Sequence, residues 1–458
     1  MLSSSSYLER PDKPFELDLD ITEPEDASSH QLFEHIKFRQ QVLVALSCFI
    51  LTFIGCGINF AFGVYEELYE TLDGPFKNAS PGEIGLIGTL AASMMTVGAP
   101  IASKWCRKYG PRFVVLLGAV LFVVSGISAS FGTQLWHFQV TQGFLQGCAA
   151  CLVYIPAVTV PPKYFDERRA FAMGIITSGT GFGGMVWAPF LRFLISSIGY
   201  RQTIRVAGVI AGSIIAISAS SLKETRRAPM EPSQSRGSRH LRDERQWSKS
   251  RQGVTFSLDF VSHALGTSFQ AAAYMIPVYF MSSYARTLGY SRAAGANIIA
   301  LSDACNSGGK ILIGFYADRL GSLNALLLST LVSAVSTFGI YYVSISELDN
   351  NLHRMFFLAF ACIYGITAGA YVSLFPAALM EQFGSVEFAR VSGLLYMIRG
   401  IGTLVGTPLG GALVRHDMNS TVSSSFDRTF FFVGFLLFGA TLSVAWARSL
   451  KLELSPVS

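Results

Sequence analysis

VLVALSCFILTFIGCGINFAFGV, residues 42 to 64, is an apolar run long enough to cross a hydrocarbon core of ~30 Å as a helix, and eleven runs of similar length follow it. In lipid every backbone polar group has to be satisfied within the protein, so runs of this kind become helices. They lie near 42–65, 83–103, 112–131, 135–160, 170–193 and 203–222, then 254–283, 292–316, 323–345, 354–379, 388–413 and 428–448. Only 14% of the residues are charged and the mean hydropathy is +0.42, against about 25% charged in soluble proteins. A soluble globular enzyme is thereby excluded. The 43 glycines lie inside apolar runs without a three-residue period, which excludes a collagen-like chain.

Residues 1–41 are polar and lack the apolar core of a signal peptide, so they are expected to be a disordered tail and the run from Val42 a retained span. Residues 223–253 are basic, with almost nothing to bury, and divide an N-terminal half (42–222) from a C-terminal half (254–448) ahead of a short tail (449–458). The expected fold is an all-α membrane protein: twelve transmembrane helices in two parallel six-helix pseudo-repeats.

The net charge of +5 is a matter of topology. With the N-terminus inside, the inner segments hold 24 Lys and Arg and the outer loops 9. That bias places both termini in the cytoplasm and requires no nucleic-acid partner. The sequons at Asn78 and Asn419 fall in loops expected outside, where glycosylation occurs. Six of the seven cysteines sit in apolar stretches and read as packing residues. Cys148-x-x-Cys151 lacks a second pair and a nearby His, so neither a metal nor another cofactor is expected.

The halves repeat in the same orientation. Ala170, Gly174, Gly181, Gly183 and Pro189 of the fifth span fall on Ala389, Gly393, Gly400, Gly402 and Pro408 of the eleventh, at a constant offset of 219. A rocker-type carrier needs two such halves, because its site lies between bodies that swing against each other. Gly402, Gly406 and Gly410 form small-x-x-x-small steps suited to close helix packing. Gly179, Gly181 and Gly184 match G-x-G-x-x-G, but they lie inside an apolar span with no strand before them, so dinucleotide binding is not expected. Near Gly309-Lys310 a phosphate loop is ruled out by Ile311 and Ala304, leaving an ion or substrate gradient as the energy source.

KYFDERRAFAMGIITSGTGFGG (163–184), GINFAFGVYEELYETL (57–72), GFYADRLG (314–321) and GIGTLVGTPLGGAL (400–413) resemble motifs of the major facilitator superfamily, and within it the monocarboxylate porter family in its fungal form. The resemblance covers all twelve spans. It implies that Arg168 and Arg169 belong to the family's Tyr-Phe-x-x-Arg-Arg segment and that Asp318 and Arg319 latch the halves. Arg107 and Lys108 stand where the first-half copy of the latch should carry Asp then Arg. Animal members carry an Asp and an Arg on the eighth helix where this chain has Asn306 and Lys310, and a first-helix Lys where it has Gly63 or Val64. The animal scheme of proton coupling is therefore not carried over residue for residue.

A charge in the membrane core costs about 2.5–3.5 kcal/mol on insertion scales, which makes each one a candidate for function. Arg399 lies near the middle of the eleventh span, at the repeat position of Thr180. Asp303, Asn306 and Lys310 share a face of the eighth at i, i+3 and i+7. Arg399 either binds a carboxylate through its forked donors, with Asp303 as the protonatable partner, or forms a structural ion pair with Asp303. Lys310, nearer the inner end, is read as snorkelling or as a site residue. Asp259 and His263 are read as a proton relay or as interfacial residues. Asn59, Gln142, Tyr371 and Tyr396, with Gln146, Tyr154, Tyr274 and Tyr364, are expected to line or flank a weakly polar, aromatic pocket.

These readings converge on a plasma-membrane carrier, monomeric, moving a small organic acid by alternating access with proton linkage. Efflux of a hydrophobic secondary metabolite is the nearest alternative, and a non-transporting receptor a more distant one. No nucleophile triad points to an enzyme.

Overall fold

The computed structural model describes residues 24–70, 75–76, 79, 81–165, 168–222, 257–346, 349–414 and 426–454, and their regular structure is helical. Asn78, Asn419 and the 223–253 linker lie outside the described residues. Span 1, Phe38–Tyr69, lies within the helices Pro24–Gly55, Gly57–Phe60 and Gly63–Glu70. Span 2 is Pro81–Val97 with Ala99–Tyr109, and span 3 is Pro111–Ser130. Span 4 is Leu135–Phe138, a π turn Gln139–Leu145 and Gln146–Thr159. Spans 5 and 6 are Arg169–Ile198 and Tyr200–Ala219. Spans 7, 8 and 9 are Leu258–Thr287, Arg292–Leu320 and Ser322–Ile345. Span 10 is Asn350–Ala368 and its continuation to Gly384; span 11 runs from there to Ala412. Span 12 is Asp427–Leu454.

Two differences from the sequence reading stand out at the termini. Helix already begins at Pro24, so 24–41 is helical where a disordered tail is expected. A proline at the first helical position has φ preset and lacks only an N–H that would have no intrahelical partner. The last helix likewise runs to Leu454, past the expected end of span 12 at 448.

Among the described residues, nine helices are long and apolar enough to cross a membrane, and a tenth is the pair Gly82–Val97 and Ala99–Tyr109, bent by 44°. Spans 7 and 8, of 30 and 29 residues, have the length but fall short in apolarity. Asp259, His263, Asp303, Asn306, Lys310 and Asp318 lie on them. Spans 10 and 11 are one helix by hydrogen bonding but turn at Gly384, whose φ of 67° lies in the left-handed region open to glycine.

The pseudo-repeat reappears as packing. Spans 7 and 11 run in parallel: a Cβ on Gly402 would lie 2.7 Å from Ser268 O and one on Gly410 2.6 Å from Ile276 Cδ1, with Gly406 facing Ala272 between them. The counterpart in the first half is span 1 against span 5, where Gly57 and Gly183 meet backbone to backbone. Glycine-enabled contact of this kind replaces the hydrophobic drive that lipid cannot supply between helices.

The two halves meet along two seams, span 5 with span 8 and span 2 with span 11. In the 5–8 seam a Cβ on Gly181 would lie 2.9 Å from Asp303 O, and one on Gly314 2.6 Å from Ala170 O. The end of the bundle at which Ala219 closes span 6 and Leu258 opens span 7 is called the linker end below.

Candidate functional site

The seams are chemically unequal. At the linker end of the 5–8 seam, Asp318 Oδ1 accepts a hydrogen bond from Ala170 N at 2.8 Å and Oδ2 one from Phe171 N at 2.9 Å. These N–H groups belong to the first turn of span 5 and have no intrahelical acceptor. A carboxylate from the opposite half thus caps the helix and complements its dipole. At the repeat-related position of the 2–11 seam, Arg107 Nη1 donates to Ala389 O at 3.3 Å from an exposed side chain. Deeper in that seam Ser93 Oγ donates to Gly400 O at 2.9 Å.

Lys310 is sealed in the 5–8 seam, 1% exposed. Its Nζ donates to Thr180 Oγ1 at 2.6 Å and Thr177 O at 3.3 Å, both in the opposite half. The snorkelling expectation is therefore overturned: backbones drawn together at Gly174 and Gly181 leave the ammonium no route to water, and span 5 supplies its acceptors instead. Ser307 Oγ, one turn away, bonds Ser178 O across the same seam.

Arg399 is also buried, at 7% exposure. Its Nη1 donates to Gln270 Oε1 at 2.7 Å, and the guanidinium lies over the Tyr371 ring at 5.8 Å. Among the described residues there is no ion pair between Arg399 and Asp303, so the structural-pair reading of these two is not what the fold forms. Asp303 is half-buried, with its Oδ2 3.7 Å from where a Cβ on Gly184 would stand, and its carboxylate has no hydrogen-bond or ion-pair partner among the described residues.

Around this pair lie neutral polar groups on aromatic ground. Asn306 Nδ2 donates to Tyr274 Oη at 3.0 Å, and Tyr364 Oη to Tyr274 O at 3.1 Å. Tyr396 of span 11 meets Tyr154 of the other half edge-on at 6.0 Å and Phe375 at 5.6 Å, and Phe375 stacks on Tyr371. Asn59 Oδ1 and Asn306 Oδ1 are buried without a hydrogen-bond partner, whereas the hydroxyls of Tyr371 and Thr267, and those of Tyr396 and Tyr154, interact with each other. Buried polar atoms are nearly always paired, so each of these two amide oxygens is an acceptor in want of a donor.

Other candidates lie elsewhere. Gln142, on the π turn, accepts from Tyr69 Oη at 2.9 Å within a ring cluster of Tyr69, Phe76, Phe138 and Tyr200. Towards the linker end of spans 7 and 10, His263 Nε2 and Gln382 Oε1 are 2.6 Å apart and Gln382 Nε2 donates to Asp259 at 2.7 Å, so an amide separates the two titratable groups. Arg169 Nε holds Pro162 O and Phe165 O of the preceding loop, whereas Arg168 is exposed. Arg319 lies over the Phe315 ring. Gly181 and Gly400 are the contact points of the two seams. Gln270 escaped the sequence reading, although an amide in an apolar span one turn before Tyr274 was the available signal.

Two repeated helical bodies that meet around a buried, incompletely paired polar centre define a secondary carrier. The family description Major Facilitator Superfamily matches residues 42–407 and 264–456, and the chain belongs to that superfamily, whose members are transporters and not enzymes. It is 25% identical over 81% of its length to the agnestins efflux protein of Paecilomyces divaricatus (81% of that protein), and 26% identical over 87% to the aspyridones efflux protein of Emericella nidulans (77%). With human monocarboxylate transporter 12 it shares 24% identity over 89% of its length and 80% of the other. A solved structure of a proton:xylose symporter superposes with a TM-score of 0.67 at 13% identity, covering 92% of this chain and 96% of that one, a likeness of fold.

Proposed function

We propose that this transporter moves a small organic acid, monocarboxylate-like, by alternating access and in step with protons. The observation that carries the reading is Arg399: a buried guanidinium whose side-chain partner is the neutral amide of Gln270, among buried tyrosines. Arg399 takes the substrate's carboxylate, and the rings of Tyr371, Tyr396 and Tyr154 take its apolar body. Asp303, unpartnered on the facing helix, carries the proton. Lys310 holds the 5–8 seam and does not meet the substrate. The positive-inside bias supports cytoplasmic termini and linker, with Asn78 and Asn419 outside as glycosylation sites, in a plasma-membrane protein that works as a monomer.

Uptake of labelled benzoate and pyruvate into proteoliposomes tests the reading on Arg399→Lys and Arg399→Gln. A hydrogen-bonded charge contributes about 1.5–3 kcal/mol, so KM in Arg399→Gln should rise at least ~10-fold at equal folded protein. An unchanged KM with merely reduced abundance would remove the binding role.

A second reading, export of a larger secondary metabolite, is favoured by the aromatic lining and by relatives named as efflux proteins. Comparing transport in right-side-out and inside-out vesicles separates the two directions.

A further inference from the structure

The side chain that holds Arg399 is a neutral one, and this has consequences for what the site can accept. Gln270 is 1% exposed on span 7. Its Oε1 accepts from Arg399 Nη1 at 2.7 Å while its Nε2 donates to Ala368 O of span 10 at 3.3 Å. The two bonds fix the amide's orientation, because the flipped form would set N–H against N–H at Arg399 and oxygen against oxygen at Ala368. An amide accepts a hydrogen bond without neutralising the charge, so the guanidinium keeps its full positive charge and the rest of its donors. Tyr371 limits it from one face. The hydroxyls of Thr267, one turn earlier on span 7, and of Tyr371 are buried, neutral and engaged with each other. Among the described residues the other buried cation, Lys310, is committed to Thr180 and Thr177.

We infer that Gln270 is a specificity-determining residue: it holds Arg399 in place without discharging it, so that the site takes one planar oxyanion and offers no second cation to a dianion. This inference rests on the reading of Arg399 as the substrate's anchor. A carboxylate at position 270 would occupy the fork that the substrate needs. An apolar group there would free the fork to turn while leaving its charge.

The test uses full-length protein in proteoliposomes with labelled benzoate as probe and unlabelled succinate as competitor, in wild type, Gln270→Glu, Gln270→Leu and Arg399→Gln. Expected are a KM for benzoate at least tenfold higher in Gln270→Glu with kcat within threefold, a smaller rise in Gln270→Leu, and no competition by succinate in the wild type. A KM within twofold of wild type in Gln270→Glu, alongside a large rise in Arg399→Gln, overturns the inference and leaves the anchor standing. Unchanged KM in Arg399→Gln removes the anchor itself. Should Gln270→Glu not fold, a KM in Gln270→Leu equal to wild type, or effective competition by succinate, overturns the inference equally.

Discussion

Replacing Asp318 by Asn keeps the shape of the cap on span 5 but removes its charge and one of its two acceptor oxygens. The wild-type carboxylate receives two N–H groups across the seam, at 2.8 and 2.9 Å. Hydrogen bonds to a charged group contribute about 1.5–3 kcal/mol each, and a charge at a helix end adds about 0.3–1 kcal/mol. Asp318 is half-buried and Asn retains one acceptor, which sets the expected loss near 1.5 kcal/mol, or about tenfold in the ratio of closed to open linker end. Arg107→Ala at the repeat-related position removes one 3.3 Å bond from an exposed side chain, and its effect should stay within about twofold. Spin labels at Lys104 and Leu320, exposed near the linker end of opposite halves, report the separation by electron–electron distance measurements once the partly exposed cysteines are replaced. The long-distance population should be distinctly larger in Asp318→Asn than in Arg107→Ala. Equal populations in the two variants, or no change in Asp318→Asn, would refute this expectation.

Two other substitutions separate roles inside the membrane. Lys310→Met exchanges a buried charge for an apolar side chain of similar length, and Thr180 Oγ1 keeps its own bond to Thr177 O; thermal stability should hold or rise, as such exchanges commonly do, and KM for the acid should stay within about twofold, whereas a large rise would give Lys310 to the substrate. Asp303→Asn should leave exchange of labelled for unlabelled acid intact while abolishing its acceleration by an imposed pH gradient; persistence of that acceleration in proteoliposomes would take the proton from Asp303.

The fold was legible because lipid leaves a chain few choices: apolar runs of span length must be helices, and the offset of 219 between spans 5 and 11 already contains the seams formed by Gly181 and Gly400. Single residues were legible where they break a rule by themselves, as Arg399 does in the middle of span 11. Partners were not, because they depend on the register between helices distant in sequence. Asp303 and Lys310 share a helical face, yet Lys310 ends against Thr180 while Asp303 has no partner among the described residues. Gln142 and Gln270 are both amides in apolar spans; one serves Tyr69 and the other Arg399. The helical stretch that begins at Pro24, ahead of span 1, escaped for a different reason, since a polar stretch carries no hydrophobic period from which helix can be read.

Counterflow tests the central claim most directly, because it needs neither a known direction nor proton coupling. Proteoliposomes loaded with unlabelled benzoate and diluted into a trace of labelled benzoate should show a transient overshoot of label with wild-type protein and none with Arg399→Gln at the same probe concentration. Absence of overshoot in the wild type, or an equal overshoot in the variant, would contradict a carrier whose organic anion is held by Arg399.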